Sequence, residues 1–576
     1  MGFLKQDAPV VDYAEWSKGT RAERIVPMAR HWAEVGFGTP VVMHLFYVVK
    51  ILLYVLVAWL IVLSTSGVDG FTDVAAWYHE PIVYQKVVFY TMLFEVVGLG
   101  CGFGPLNNRF FPPMGSVLYW LRPRTIRLPP WPNRVPLTAG DTRTPVDVVL
   151  YAALLAVLVI ALFSDGTGPI PEIGSEVGVL PVWQTATIIG LLVVAGLRDK
   201  VIFLAARGEV YGSLAVCFLF SGADIIIAAK LVCLTIWIGA ATSKLNKHFP
   251  FVISTMMSNN PVIRPRSIKR KFFEHFPDDL RPGRASRVLA HFSTAIEMLV
   301  PLVLFFSHGG WPTAIAAFVM LVFHFGILSA IPMGVPLEWN VFMMFSVLAL
   351  FVGNSGIGLG DLQSPWPIVL FAVVAGTVVV GNLFPRKVSF LPGMRYYAGN
   401  WDTTLWCVKP SASDKITNGI VAIASMPAAQ MEKFYGSKET AEMYQYMGYA
   451  FRSFNTHGRA MFTLAHRAMA GHDEGEYVLT DGERICSTAI GWNFGDGHMH
   501  NEQLITALQK RCRFEPGEVR VLILDAQPIH KQRQEYRLVD AATGEFERGY
   551  VMVADMVTRQ PWDDTVPVHV TWQKSG

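Results

Sequence analysis

Lys244 closes the apolar run LTIWIGAATSKL, and Lys230 lies inside the same stretch, about four helical turns upstream. A charge held in hydrocarbon costs roughly 2.5–3.5 kcal/mol on insertion scales, so such a residue needs a partner or a task. Desolvation favours the neutral form of an amine, which is the form a general base must take. The same position also reads as an anchor, with Lys244, Lys247 and His248 marking the cytoplasmic end of a helix. Further along, LAHFSTAIEMLVP carries His291 and Glu297 in a second apolar segment, with Thr294, Glu297 and Pro301 on one helical stripe. That stripe lines a cavity or packs on another polar helix. MLVFHFGIL sets His324 in the middle of a third segment, as a base or as a hydrogen-bonded interior histidine. Glu95 in FYTMLFEVVGLG is a further acid, a partner for Lys230 or Arg207. In the polar tail, GWNFGDGHMHNEQL puts His498 and His500 two apart with Glu502 near. That is a weak candidate for a metal site, or else a polar turn feeding a helix with Asn501 near its N-cap.

The composition sets these charges in a membrane. Of 576 residues 52% are hydrophobic and 16% charged, with a mean hydropathy of +0.36, whereas soluble domains carry about 25% charged residues. A net charge of +3 gives no ground for a nucleic-acid partner. The first forty residues mix charges with Pro and Trp and lack the early apolar core of a signal peptide. Cysteines 101, 217, 233, 407, 486 and 512 are scattered without a CxxC pair. They imply reduced thiols and a cytosolic tail rather than a disulfide framework or zinc ribbon.

A helical span needs about 20 mostly apolar residues. The candidates are 41–64, 86–104, 146–164, 183–198, 225–244, 288–307, 312–332, 338–353 and 366–384. Segment 201–220, interrupted by Arg207 and Glu209, is a span with an internal ion pair or an interfacial helix pair. Loops 65–84, 164–183 and 354–365 contain no Lys or Arg, whereas 105–145 holds six arginines against Asp141 and 244–287 is rich in both cations. By the positive-inside rule the first group is external and the second cytoplasmic. The parity closes if 201–220 crosses, giving about ten spans in the plasma membrane with both termini inside. Segment 105–145 should lie along the inner surface, with Trp120 and Trp131 at the interface. Its glycine- and proline-rich start follows GLGCGFGP, whose glycines suit close helix packing.

After GNLFPRKVSFLPG the patterning turns globular. Segments 428–470 and 499–512 read as helices, and EVRVLILDAQ with EYRLVDAATGEFERGYVMVADM as three strands, the last two joined at an Ala-Thr-Gly turn. The expected fold class is an α-helical polytopic membrane protein with a cytoplasmic α+β domain at 385–576. A transmembrane domain at 41–384 and a cytoplasmic segment at 1–40 precede it.

With the elements laid out, IWIGAATSKL resembles the lysine-bearing helix end of vitamin K-dependent gamma-carboxylase-like membrane proteins, the HTTM group. Those proteins show an apolar helix, a small-residue step and then Lys-Leu, and Lys230 stands where the carboxylase has an upstream basic residue. LAHFSTAIEMLVPLVLFF and MLVFHFGILSAIPMGVPLEWN are similar to the next two family helices, the latter with its Phe-His pair. Order and spacing agree over residues 225–340. The whole chain also resembles an actinobacterial-type family of transmembrane proteins of unknown function. The carboxylase resemblance implies Lys244 as the base that deprotonates a quinol, with Glu297 and His324 as catalytic companions. A quinone or quinol is then the candidate cofactor, and Lys230 and His291, with the intramembrane charges Glu95 and Arg207 outside the matched stretch, are the substrate-binding candidates. Ser243 replaces the family's adjacent lysine, Glu297 stands where it has Asp, and its large lumenal part has no counterpart here. The expectation is therefore an integral membrane protein acting on a lipid-soluble substrate of quinol or polyprenyl type, with membrane lipids as partners. Its competitors are a non-catalytic lipid-binding or transport protein, and a scaffold with a cytoplasmic interaction domain.

Overall fold

Each long apolar run is helical because hydrocarbon offers its backbone no other partner, and the breaks fall at proline, glycine or charge. A computed structural model describes residues 2–575 apart from 101–114, 331–336 and 493. An amphipathic helix, α1 (Arg21–Val35), starts at a reciprocal Thr20–Glu23 capping box. There follow α2 (Val41–Leu63), α3 (Pro81–Val96), α4 (Pro145–Leu162), α5 (Val182–Arg198), α6 (Ala223–Ser243), α7 (Phe249–Asn259), α8 (Arg284–Phe306), α9 (Gly310–Ala330), α10 (Leu337–Ser346) and α11 (Trp366–Leu383). Among the described residues, α2, α4, α6, α8, α9 and α11 are long and apolar enough to cross a membrane. Two further apolar helices are shorter: α5, and α10 with its π-helical extension Val347–Gly353. Helix α6 is almost wholly enclosed by the others, which turn most of their surface outward.

Segment 201–220 is not one helix. Lys200–Ala205 and Ser213–Cys217 are short α-helical pieces joined through a π turn at Gly208–Gly212, with Arg207 left-handed at φ 51°. The run expected at 86–104 is helical only to Val96; Cys101 and the glycines after it lie outside the described residues, as does the FFPPMG stretch up to Met114.

Loop contacts sort the helix ends into two groups. At one end Ser66 donates its amide to Asp165 at 2.7 Å, Ser175 its hydroxyl to Glu80 at 2.5 Å, and Gln363 its amide side chain to Glu172 at 2.7 Å. At the other, Arg198 binds Asp147 at 2.5 Å, Lys200 donates to the His498 carbonyl at 2.6 Å, and Asn246 to that of Ala398 at 3.2 Å. The first group holds the loops without Lys or Arg, the second the basic loops and the tail.

The tail is an antiparallel sheet with helices. Strands β1 (Thr403–Val408), β2 (Val478–Asp481), β3 (Val519–Leu524), β4 (Arg533–Asp540), β5 (Gly544–Met552) and β6 (Val568–Gln573) run in the order β2-β1-β3-β4-β5-β6. The three strands expected from sequence are β3, β4 and β5, and Asp540 caps the turn between the last two through the amides of Ala542 and Thr543. Strand β1 is buried along its whole length and so lacks the alternation that marks a strand. The expected helical stretch 428–470 is three helices, α12 (Pro427–Tyr435), α13 (Lys438–Phe454) and α14 (Thr456–Ala468). The first break is at Gly436, φ 76°, the left-handed C-terminal stop that glycine favours. Helix α15 (Glu502–Cys512) starts at Asn501, whose side chain accepts the Gln503 amide.

The N-terminal segment completes this tail. Trp16, Ile25, Met28 and Trp32 share one core with Met447, Ala450 and Phe454. Arg24 pairs with Glu442 and lies over the rings of Trp16 at 4.3 Å and Tyr446 at 4.0 Å.

Candidate functional site

The small-residue step GAATS brings α6 to its end, and Lys244 is the C-cap. Its ammonium donates into the Glu297 carboxylate of α8, with side chains 8% and 7% exposed. On α9, His324 Nε2 accepts the Trp237 indole N–H at 3.0 Å, which leaves Nδ1 to donate to Asn340 Oδ1 at 2.9 Å. Both ring nitrogens are thereby engaged. Thr294 returns its hydroxyl to the Ala290 carbonyl of its own helix.

Lys244, Glu297, His324 and Arg207 line one cavity of about 570 Å³, within the range of small-molecule sites. Its walls are otherwise largely apolar and come from α6, α7, α8, α9 and the start of α10. Phe292 and Phe318 on its rim are 62% and 66% exposed, so the mouth faces sideways through the apolar surface of α8 and α9. Arg207 closes the inner end: it binds Glu209 at 2.6 Å and sits among Trp339, Tyr396 and Phe494 at 4.8, 5.4 and 5.2 Å. Segment 201–220 thus holds its ion pair internally.

The remaining candidates do not join this cavity. Lys230 points to the far end of α6, donating to the carbonyls of Asn354 at 2.8 Å and Ile357 at 2.6 Å. There it closes the end of the π helix, a structural task. His291 is exposed on the outer face of α8. Glu95 is buried in the last turn of α3 against Gly100, and no ion pair joins it to Lys230 or Arg207 among the described residues. His498 Nε2 meets the Pro385 carbonyl at 2.9 Å while His500 Nδ1 meets Thr404 at 2.7 Å. Among the described residues no three His, Cys, Asp or Glu side chains gather as metal ligands would. The arginines of 105–145 also depart from an interfacial role where they are buried. Arg143 pairs with Asp199, and Arg127 donates to the carbonyls of Arg198, Thr142 and Ala139. Trp120 is likewise buried, its indole donating to Ile490 at 3.0 Å, whereas Trp131 is exposed.

Sequence reasoning missed a second ion pair, Lys50 of α2 with Glu338 of α10 at 2.7 Å, with side chains 9% and 0% exposed. Both lie within apolar runs, and that signal alone marks them. His248, read from sequence only as a mark of the helix end, joins the membrane helices to the tail by hydrogen bonds to Thr456 and, at 2.6 Å, to Gln527.

Apolar helices enclosing ion pairs, a cavity open through their outer surface, and a sheet domain at one end make this a polytopic membrane protein. Residues 1–571 match a family described as transmembrane protein of unknown function (DUF3556), and the chain belongs to that family. No curated protein and no solved structure matches the chain, and no carboxylase-like relative emerges.

Proposed function

We propose that the protein binds a lipid-soluble amphiphile, admitted from the bilayer between α8 and α9 and held beside the Lys244–Glu297 pair. The observation that carries this reading is the cavity itself: about 570 Å³, apolar walls, few fixed polar groups, and a rim of exposed phenylalanines. Ten crossings with both termini cytoplasmic belong to the same proposal. The broken segment supports it: it starts at Asp199 and Lys200, among the basic loops and the tail, and reaches Gly222 beside Glu172 and Gln363 of the Lys- and Arg-free loops.

Gly326 tests the binding reading, because a side chain added there meets open space while the residue lines the cavity. Native mass spectrometry of the full-length protein in mild detergent should show one retained lipid-soluble molecule per chain. In Gly326→Trp that retention should fall about tenfold, roughly 1.4 kcal/mol of affinity. Wild-type protein without such a molecule, or undiminished retention in Gly326→Trp, would refute the proposal.

A catalytic variant has one observation in its favour, an acid and an amine paired on the cavity wall. A lysine bonded to a carboxylate presents a cation, suited to binding an oxygen; to act as a base it must first release a proton to Glu297. Quinol or polyprenyl chemistry would then require Lys244 to fail as Arg, because guanidinium cannot deprotonate near neutral pH.

A further inference from the structure

Inward of the Lys244 cavity lies a second chamber of about 100 Å³ at the junction with the tail, several times the roughly 10–15 Å³ that admits one water. Met256, Tyr397 and Phe494 line both spaces, so the chamber continues the cavity away from lipid. Its walls carry unequal charges. Arg452 is taken up by Asp481 and Glu483, and Arg484 fits over Gly448, where a Cβ would stand 2.7 Å from its guanidinium.

Arg395 is different. It is 2% exposed, and none of its three guanidinium nitrogens has a hydrogen-bond partner. The carboxylate oxygen beside it, Asp402 Oδ2, is 3.6 Å away, beyond hydrogen-bond reach. The indole nitrogen of Trp401, on the same wall, also lacks an acceptor. Arg395 and Trp401 thus bring guanidinium and indole N–H donors without hydrogen-bond partners to the lining of the chamber. Asp402 supplies a charge partner but no hydrogen bond, and buried guanidinium N–H groups left without acceptors are unfavourable.

We propose that the chamber receives the anionic headgroup, phosphate ester or carboxylate, of an amphiphile whose apolar chain lies in the Lys244 cavity. The inference rests on the binding reading above and names its ligand class. A guanidinium fork pairs two oxygens of such a group at once, the Trp401 indole supplies a further donor, and Phe494 and Tyr397 mark the passage from chain to headgroup.

The test uses delipidated full-length protein in detergent, offered phosphatidylglycerol, phosphatidylcholine or inorganic phosphate, with native mass spectra and Tm as readouts. Wild type should retain phosphatidylglycerol over phosphatidylcholine by about tenfold, and Arg395→Met should bring the ratio near one while total lipid retained stays the same. Should Arg395→Met not fold, Arg395→Lys keeps the charge without the fork, and Trp401→Phe removes only the indole donor. Each should reduce the preference about threefold. An unchanged preference in these variants overturns the assignment. So does phosphate alone stabilising the protein as strongly as phosphatidylglycerol, including in Gly326→Trp, which would make this a site for a free anion. Wild type that retains no lipid defeats the binding reading as a whole; lipid retained without headgroup preference defeats only this inference.

Discussion

Lys244 and Glu297 have the energetics of a buried pair: either one alone leaves a charge stranded among apolar helices. Lys244→Met or Glu297→Gln should therefore destabilise the protein by about 3–5 kcal/mol if the remaining charge stays ionised, whereas joint replacement by apolar residues should recover most of the loss. Thermal unfolding in detergent measures both, and additive single and double effects would show that the pair is uncoupled. Lys244→Arg should preserve stability because it keeps the ion pair. The identity of these residues was legible because charges in apolar runs demand explanation. The resemblance grouped Lys244, Glu297 and His324, but the direct Lys244–Glu297 ion pair is decided only in the fold. His324 shows the limit most clearly: its nitrogens are committed to Trp237 and Asn340, and a single sequence has no periodicity for a contact across three helices.

At the scale of elements, α1 is the piece whose place sequence patterning left undecided. From sequence, residues 1–40 read only as a cytoplasmic segment; the structure makes 21–35 a capped helix whose apolar side closes the core of the tail. Residues 385–576 expressed without α1 should keep mixed helix and strand by circular dichroism yet bind a hydrophobic dye strongly, because Met447 and Phe454 lose their cover. Co-expression with residues 1–37 should abolish the dye signal. An isolated tail that is monomeric and dye-silent would show that α1 is dispensable. The broken segment at 200–217 has a related cause: a π turn and a left-handed Arg207 let one short segment carry an ion pair that a regular helix would aim elsewhere.

For the whole molecule, charge bias and loop contacts make topology testable. In a background freed of reactive cysteines, an impermeant thiol reagent applied to intact cells should label Glu176→Cys and Gly356→Cys and miss Arg134→Cys. Labelling at Arg134→Cys would reverse the orientation. The union of membrane helices and tail should also be acid-sensitive. Burial pushes His248 and His500 down to about 4 and lowers His457, the latter reinforced by the nearby Arg452 charge. Each is neutral when folded and recovers an ordinary value near 6.5 when unfolded. Between about pH 6.5 and 4 the unfolded state then binds more protons, so stability falls as pH drops, by up to about 1.4 kcal/mol per pH unit per histidine. His248→Gln should flatten that slope in melts recorded from pH 7 to pH 4.5.

The sequence by itself determined the membrane class, the bounds of most apolar helices, the change to a globular tail at the chain's C-terminal third, and the strands β3 to β5. Those features are local: apolar run length, loop charge and alternation are read over twenty residues or fewer. Tertiary structure alone decided that α6 is enclosed, that Lys230 serves the π-helix end rather than the cavity, that α1 belongs to the tail, and that Arg395 lies buried without a hydrogen-bond partner. Each depends on contacts between residues far apart in the chain, where burial and missing hydrogen bonds exist only once the helices have packed.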